Sequence, residues 1–144
     1  MAEAARSAAQ SETHTVLQCA RETMPEHLLN ADGYLFAAPE NLAALSGEMK
    51  EFFDRCYYPV LGQIEGRPYA QMICAGSDGE NAARQVARIA TGWRLKQVHP
   101  TVIICTQAQT QTEILAEKTL SETDLERCRA LGATLAAGLS MGVF

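Results

Sequence analysis

Apolar positions along this chain follow two alternating rhythms. Runs of strand length stand at "HTVLQC" (14–19), "GYLFAA" (33–38), "YAQMICA" (69–75) and "TVIICT" (101–106). Such runs predict β-strands, covered on both faces where the apolar stretch is unbroken. Between them the period lengthens to 3.6. Met49, Phe52, Phe53, Cys56 and Tyr57 form one helical stripe, and Ala82, Ala83, Val86, Ile89 and Ala90 a second that Gly92 ends. Leu125, Cys128, Leu131, Leu135 and Leu139 form a third. "PEHLLN" (25–30) suits one or two helical turns opened by Pro25. Residues 2–11 are alanine-rich and helix-compatible, with a thin apolar face. The polar excursion "QAQTQTEILAEKTL" (107–120) reads as loop.

Helix starts are marked by small hydroxyl residues. Ser46 is placed to cap the helix of the Met49–Tyr57 stripe, and Glu48 favours the positive end of its dipole. Ser77 and Glu80 have the spacing of a capping box, and Ser121 opens the last helix. Strands alternating with amphipathic helices predict one α/β domain over 1–144, a doubly wound parallel sheet in three α/β/α layers. Ligands of such sheets lie beyond the carboxyl ends of the strands. Two strand exits stand out there, "APENLAALSG" and "AGSDGEN". Their small side chains allow close backbone approach to a flat ligand, and ordinary βα connections explain them equally well.

Composition narrows the function classes. With 144 residues, 47% of them apolar, the chain can bury a real core. A net charge of -5 argues against a nucleic-acid partner. No run nears the ~18 apolar residues of a membrane span, and Met1 is not followed by a signal pattern, so a cytoplasmic location is expected. Cys19, Cys56, Cys74, Cys105 and Cys128 form no CxxC pair and read as buried, reduced thiols. His14, His27 and His99 stand apart, and no metal is expected.

The segments "ADGYLFAAPENLAALSGEMKEFFDRCYYP", "GRPYAQMICAGSDGENAARQVARIATGWRLK" and "TLSETDLERCRALGATLAAGL" resemble the flavodoxin-like NAD(P)H-dependent FMN reductases from about residue 13 onward. The resemblance implies a flavodoxin-like fold with FMN held non-covalently at the sheet's C-terminal edge. Pro39, Glu40, Asn41, Leu42, Ser46 and Gly47 would lie on one side of the isoalloxazine ring. Ala75, Gly76, Ser77, Asp78 and Gly79 would lie on the other. It further implies hydride transfer from NAD(P)H through flavin N5 to a small-molecule acceptor, and a homodimer. The positioned ring carries that chemistry, so no protein acid or base is required.

By the same comparison "MAEAARSAAQSE" reads as the family's first helix, so the family's first strand and phosphate-binding loop are expected to be missing. Losing several charge-assisted phosphate contacts, at ~1.5–3 kcal/mol each, would weaken FMN binding by orders of magnitude. A fragment with a misassigned start, a strand-swapped dimer, or direct closure of "HTVLQC" against "GYLFAA" would each account for the gap, and direct closure is expected. Glu40 and Asp78 read either as caps or as carboxylates near the ring. Arg84, Arg88 and Arg94 suit either a nicotinamide cofactor's phosphates or an exposed helix face. Trp93, Tyr57 and Tyr58 suit either packing or a subunit contact, and packing is expected. The alternative function is a non-catalytic flavodoxin-like binding or assembly module, degenerate at the phosphate site.

Overall fold

A computed structural model describes residues 1–144. Helix α1 spans Ala2–Ala9, and after an irregular stretch come a 3₁₀ turn at Ala20–Glu22 and α2, Pro25–Leu29. Strand β1 (Tyr34–Asn41) turns directly into β2 (Ala44–Leu45), and α3 follows at Gly47–Val60. Then come β3 (Pro68–Ala75), α4 (Glu80–Gly92), β4 (Lys96–Gln97), β5 (Val102–Cys105), α5 (Gln111–Leu115) and α6 (Glu122–Ser140).

The sheet is built around β3. It pairs in parallel with β1, from Tyr34 opposite Tyr69 to Pro39 opposite Cys74. On its other edge it pairs first with β4 and then with β5. All of β3 except Cys74 is buried, which explains its unbroken apolar run. On one face α3 and α4 pack over an aromatic cluster. Phe36 and Phe53 ring centroids lie 5.3 Å apart, Phe53 and Trp93 5.4 Å, and Tyr57 stacks on Trp93 at 5.8 Å. Trp93 is fully buried and its indole N–H donates to the Tyr57 carbonyl at 3.1 Å. Packing is therefore the role of Trp93 and Tyr57, while Tyr58 is exposed.

On the other face α1 and α6 cover Ala70, Met72, Val102 and Ile104. The thin alanine face of α1 is enough because α6 comes very close. A Cβ placed on Gly132 would sit 2.2 Å from the Ala5 carbonyl oxygen. Gly132→Ala must push the two helices apart, and overpacking of this kind costs ~1–3 kcal/mol against ~1 kcal/mol gained in helix propensity. A net loss of stability is expected in urea unfolding; an unchanged or raised midpoint would contradict this contact.

Residues 14–19 correct the sequence reading. They form no strand, and Val16 (67%) and Leu17 (42%) are largely exposed, as is Cys19. Direct closure against β1 does not occur. The segment is tethered at both ends: α1 is seated on α6, and Arg55 donates to the carbonyls of Ala20 (2.8 Å) and Thr23 (3.0 Å) on α3's flank. A strand also needs a hydrogen-bonded neighbour, and these residues pair with none. Beyond β2, the edge of β1 away from β3 carries no further strand.

Four smaller differences concern local signals. Helix α3 runs through Pro59 to Val60, α5 and β4 were not anticipated, and Ser46 occupies the N-cap of α3 without a side-chain bond. Ser121 does cap α6, accepting from the Asp124 N–H at 3.1 Å. The thiols of Cys56 and Cys128 are buried and that of Cys74 is half-buried; burial raises the pKa of all three. No helix is long and apolar enough to cross a membrane.

Candidate functional site

Strand β1 leaves the sheet through Pro39, Glu40 and Asn41 and reverses at once. Asn41 pairs with Ala44 and Glu40 with Leu45, so Leu42 and Ala43 alone make the turn. Both have positive φ, 51° and 58°. That is the geometry of a type I′ hairpin, which normally recruits asparagine or glycine. The conformation costs Leu42 and Ala43 roughly 1–2 kcal/mol each, and backbone strain of this kind gathers at binding sites. The Leu42 side chain is wholly exposed at the apex.

The strained hairpin is held from α4. The Asn81 amide donates to the Ala43 carbonyl at 2.6 Å, and the Leu45 N–H donates to Gln85 Oε1 at 2.9 Å. Glu40 makes the third tie. Its Oε1 accepts from the Gly79 N–H at 2.9 Å and its Oε2 from the Ala82 N–H at 3.2 Å. Thus Glu40, near the end of β1, caps the helix that follows β3. This corrects the Ser77–Glu80 capping box: the N-cap is Gly79, and no side-chain bond from Ser77 is made there. Gly79 is required at this position. Its φ is 89°, and a Cβ would meet Ile103 Cγ2 at 2.7 Å.

The β3 exit is pinned on its far side by the chain leaving β5. Thr106 N–H donates to the Ala75 carbonyl (2.9 Å) and Gln107 N–H to the Gly76 carbonyl (2.7 Å). Asp78 accepts from the Glu80 N–H at 3.3 Å and so caps its own helix. The N–H groups of Gly76, Ser77 and Asp78 donate to no backbone or side-chain acceptor, and all three residues are exposed.

The two predicted loops therefore meet at one rim, and their residues divide by exposure. Pro39, Asn41, Leu42, Gly47, Gly76, Ser77 and Asp78 are exposed. Ser46, Ala75 and Gly79 are buried, and Glu40 is half-buried as a cap. The arginines do not converge. Arg84 reaches Asn81 Oδ1 at 3.4 Å, whereas Arg94, ten residues on, pairs with Glu65 at 2.8 Å. Arg88 is exposed between them. Sequence reasoning missed Asn81 and Gln85; their i, i+4 spacing on α4 was the available signal, since it puts two amides on one helix face.

A family model for NADPH-dependent FMN reductase matches residues 10–109. The chain belongs to that family. None of the curated proteins matches it significantly. Among solved structures, a flavodoxin from the domain Archaea superposes with a TM-score of 0.75 at 15% identity, covering 96% of this chain and 87% of that one. A flavodoxin, WrbA-like protein from Agrobacterium tumefaciens gives 0.71 at 16% identity, covering 97% and 87%. The flavodiiron protein from Giardia intestinalis gives 0.74 at 16% identity, covering 98% of this chain and 32% of that one. At these identities the likeness establishes the flavodoxin-like fold.

Proposed function

We propose that this chain is an FMN-dependent oxidoreductase that takes electrons from NAD(P)H and passes them to a small-molecule acceptor, working as a homodimer. One observation carries the reading. Three backbone N–H groups without protein acceptors, on Gly76, Ser77 and Asp78, sit beside a strained hairpin with an exposed leucine, and Glu40 ties the two loops together. Such a rim suits a flat ligand with an apolar face and a polar edge. Leu42 offers apolar contact, and the free N–H groups offer donors to ring oxygens and nitrogens.

The flavin, when bound, supplies the two-electron chemistry, and no acid or base of the chain is needed for it. The chain's part is positional and electrostatic. Donors on a preorganised turn stabilise negative charge at the ligand's polar edge without reorganising. Neither nearby carboxylate opposes this. Glu40 faces backbone N–H groups at the positive end of α4, and Asp78 is engaged with Glu80 N–H.

A second reading has an observation of its own. Arg84 and Arg88 lie on α4 while Arg94 lies beyond its end and is already paired, so they form no joint cradle for nicotinamide phosphates. That favours a non-catalytic flavodoxin-like binding or assembly module. Titration of the purified chain with FMN, followed by anaerobic addition of NADPH or NADH, separates the two. Flavin fluorescence quenching and bleaching of the visible band by a nicotinamide are expected. Uptake of FMN without bleaching, or no uptake at all, sinks the reductase and leaves the module.

A further inference from the structure

Residues 107–120 differ from every other part of the molecule. Residues 109–119 are all exposed, and no other helix or strand packs substantially against α5. Yet the segment is ordered by its own bonds. Thr110 Oγ1 accepts from the Glu113 N–H, while the Glu113 carboxylate accepts from the N–H groups of Gln109 and Thr110, both at 2.9 Å. Those bonds lower the Glu113 pKa. At the other end the Lys118 ammonium donates to the carbonyls of Glu113, Ile114 and Ala116. Both ends of this short helix are therefore capped from within. Its two large apolar side chains, Ile114 (57% exposed) and Leu115 (75% exposed), have no core to enter.

The attachment point says what the segment serves. Its front end is Gln107, in a left-handed conformation at φ 57°, with its N–H bonded to the Gly76 carbonyl at 2.7 Å. The next residue flanks the same turn: a Cβ on Gly76 would lie 3.7 Å from the Ala108 carbonyl oxygen. The segment is thus hinged on the turn that carries the free N–H groups, on the side opposite the Leu42 hairpin. Three residues, Ala108 to Thr110, separate the hinge from α5, and Gln109 and Thr110 belong to its cap, so the capped helix pivots as a unit about Gln107 and Ala108, beside the turn itself.

We infer that residues 107–120 are a lid, and that Ile114 and Leu115 cover a flavin ring lying on the Gly76–Asp78 turn. This rests on the flavin reading above. Closure buries two side chains that otherwise face water, and a self-capped helix can move as a unit without breaking its own hydrogen bonds. The lid residues are specificity-determining: they set how much of the ring a second substrate reaches.

The test uses the whole chain with FMN as probe. Trypsin cleavage after Lys118 is timed with and without FMN, and FMN affinity is compared between the wild type and the double variant Ile114→Ser/Leu115→Ser. Both positions are exposed, so the variant's fold is checked simply by its unchanged circular dichroism. FMN is expected to slow cleavage at Lys118 about tenfold or more, because proteolysis tracks the open population. The double variant is expected to bind FMN at least tenfold more weakly, since even partial burial of two large apolar side chains is worth that much. If the wild type binds FMN while Lys118 is cut at an unchanged rate and the variant keeps full affinity, the lid is wrong and the flavin reading stands. Protection that follows protein concentration rather than FMN assigns the segment to a subunit contact and also overturns it. A wild type that binds no FMN removes the flavin reading, and the lid with it.

Discussion

Replacing Glu40 with alanine is expected to lower stability by about 2 kcal/mol and FMN affinity at least tenfold. Two backbone N–H groups, of Gly79 and Ala82, lose their carboxylate acceptor at once. Bonds to a charged group contribute ~1.5–3 kcal/mol, and removal of a helix N-cap typically costs ~1 kcal/mol; partial exposure keeps the sum near the middle of that range. The affinity loss has a separate cause. Glu40 links the Leu42 hairpin to the Gly76–Gly79 turn, and without it the side-chain ties between the two sides of the proposed ring site are those of Asn81 and Gln85. Their spacing then relaxes, and misplacement of that kind is costly to binding. Urea unfolding and FMN titration of the same preparation read both effects. Glu40→Gln keeps one acceptor and should fall between. A stable Glu40→Ala protein with wild-type FMN affinity would show that the tie does not organise the site.

Trp93→Ala should be the most destabilising single change in the chain, at ~3–5 kcal/mol. Trp93 is fully buried at the end of α4, between the Tyr57 ring and the Phe36, Phe52 and Phe53 cluster. Alanine leaves a cavity that several large rings border, and strands the Tyr57 carbonyl that the indole N–H satisfies. For a domain of this length each kcal/mol lowers the melting temperature by ~2–4 °C, so a drop of about 10 °C is expected by calorimetry. Trp93→Phe keeps most of the volume and loses the hydrogen bond, worth ~1 kcal/mol. A drop under a few degrees for Trp93→Ala would mean that the aromatic cluster is not the core of this face.

Particular residues show how far the pattern of side chains along the chain reaches. The stripe of Met49, Phe52, Phe53 and Cys56 is buried on α3, and the unbroken run 69–75 is the central strand. The two turns flanking the candidate site were legible as places, because proline, glycine and serine interrupt apolar runs there. Their internal wiring was not. Leu42 and Ala43 carry no sign of a type I′ turn, since neither is a residue that favours positive φ. The local Ser77–Glu80 spacing suggested a cap that Glu40, 39 residues away, makes instead.

What the amino-acid order determined alone was periodicity: which stretches are helical, which are buried strands, and where the chain must turn. Those properties depend on neighbours a few residues apart. Tertiary structure decided pairing and capping. "HTVLQC" has the composition of a strand and is not one, because a strand exists only when paired with another, and residues 14–19, tethered at both ends, pair with none. Likewise Glu40 became a helix cap only when two strand exits were brought to the same rim of the sheet.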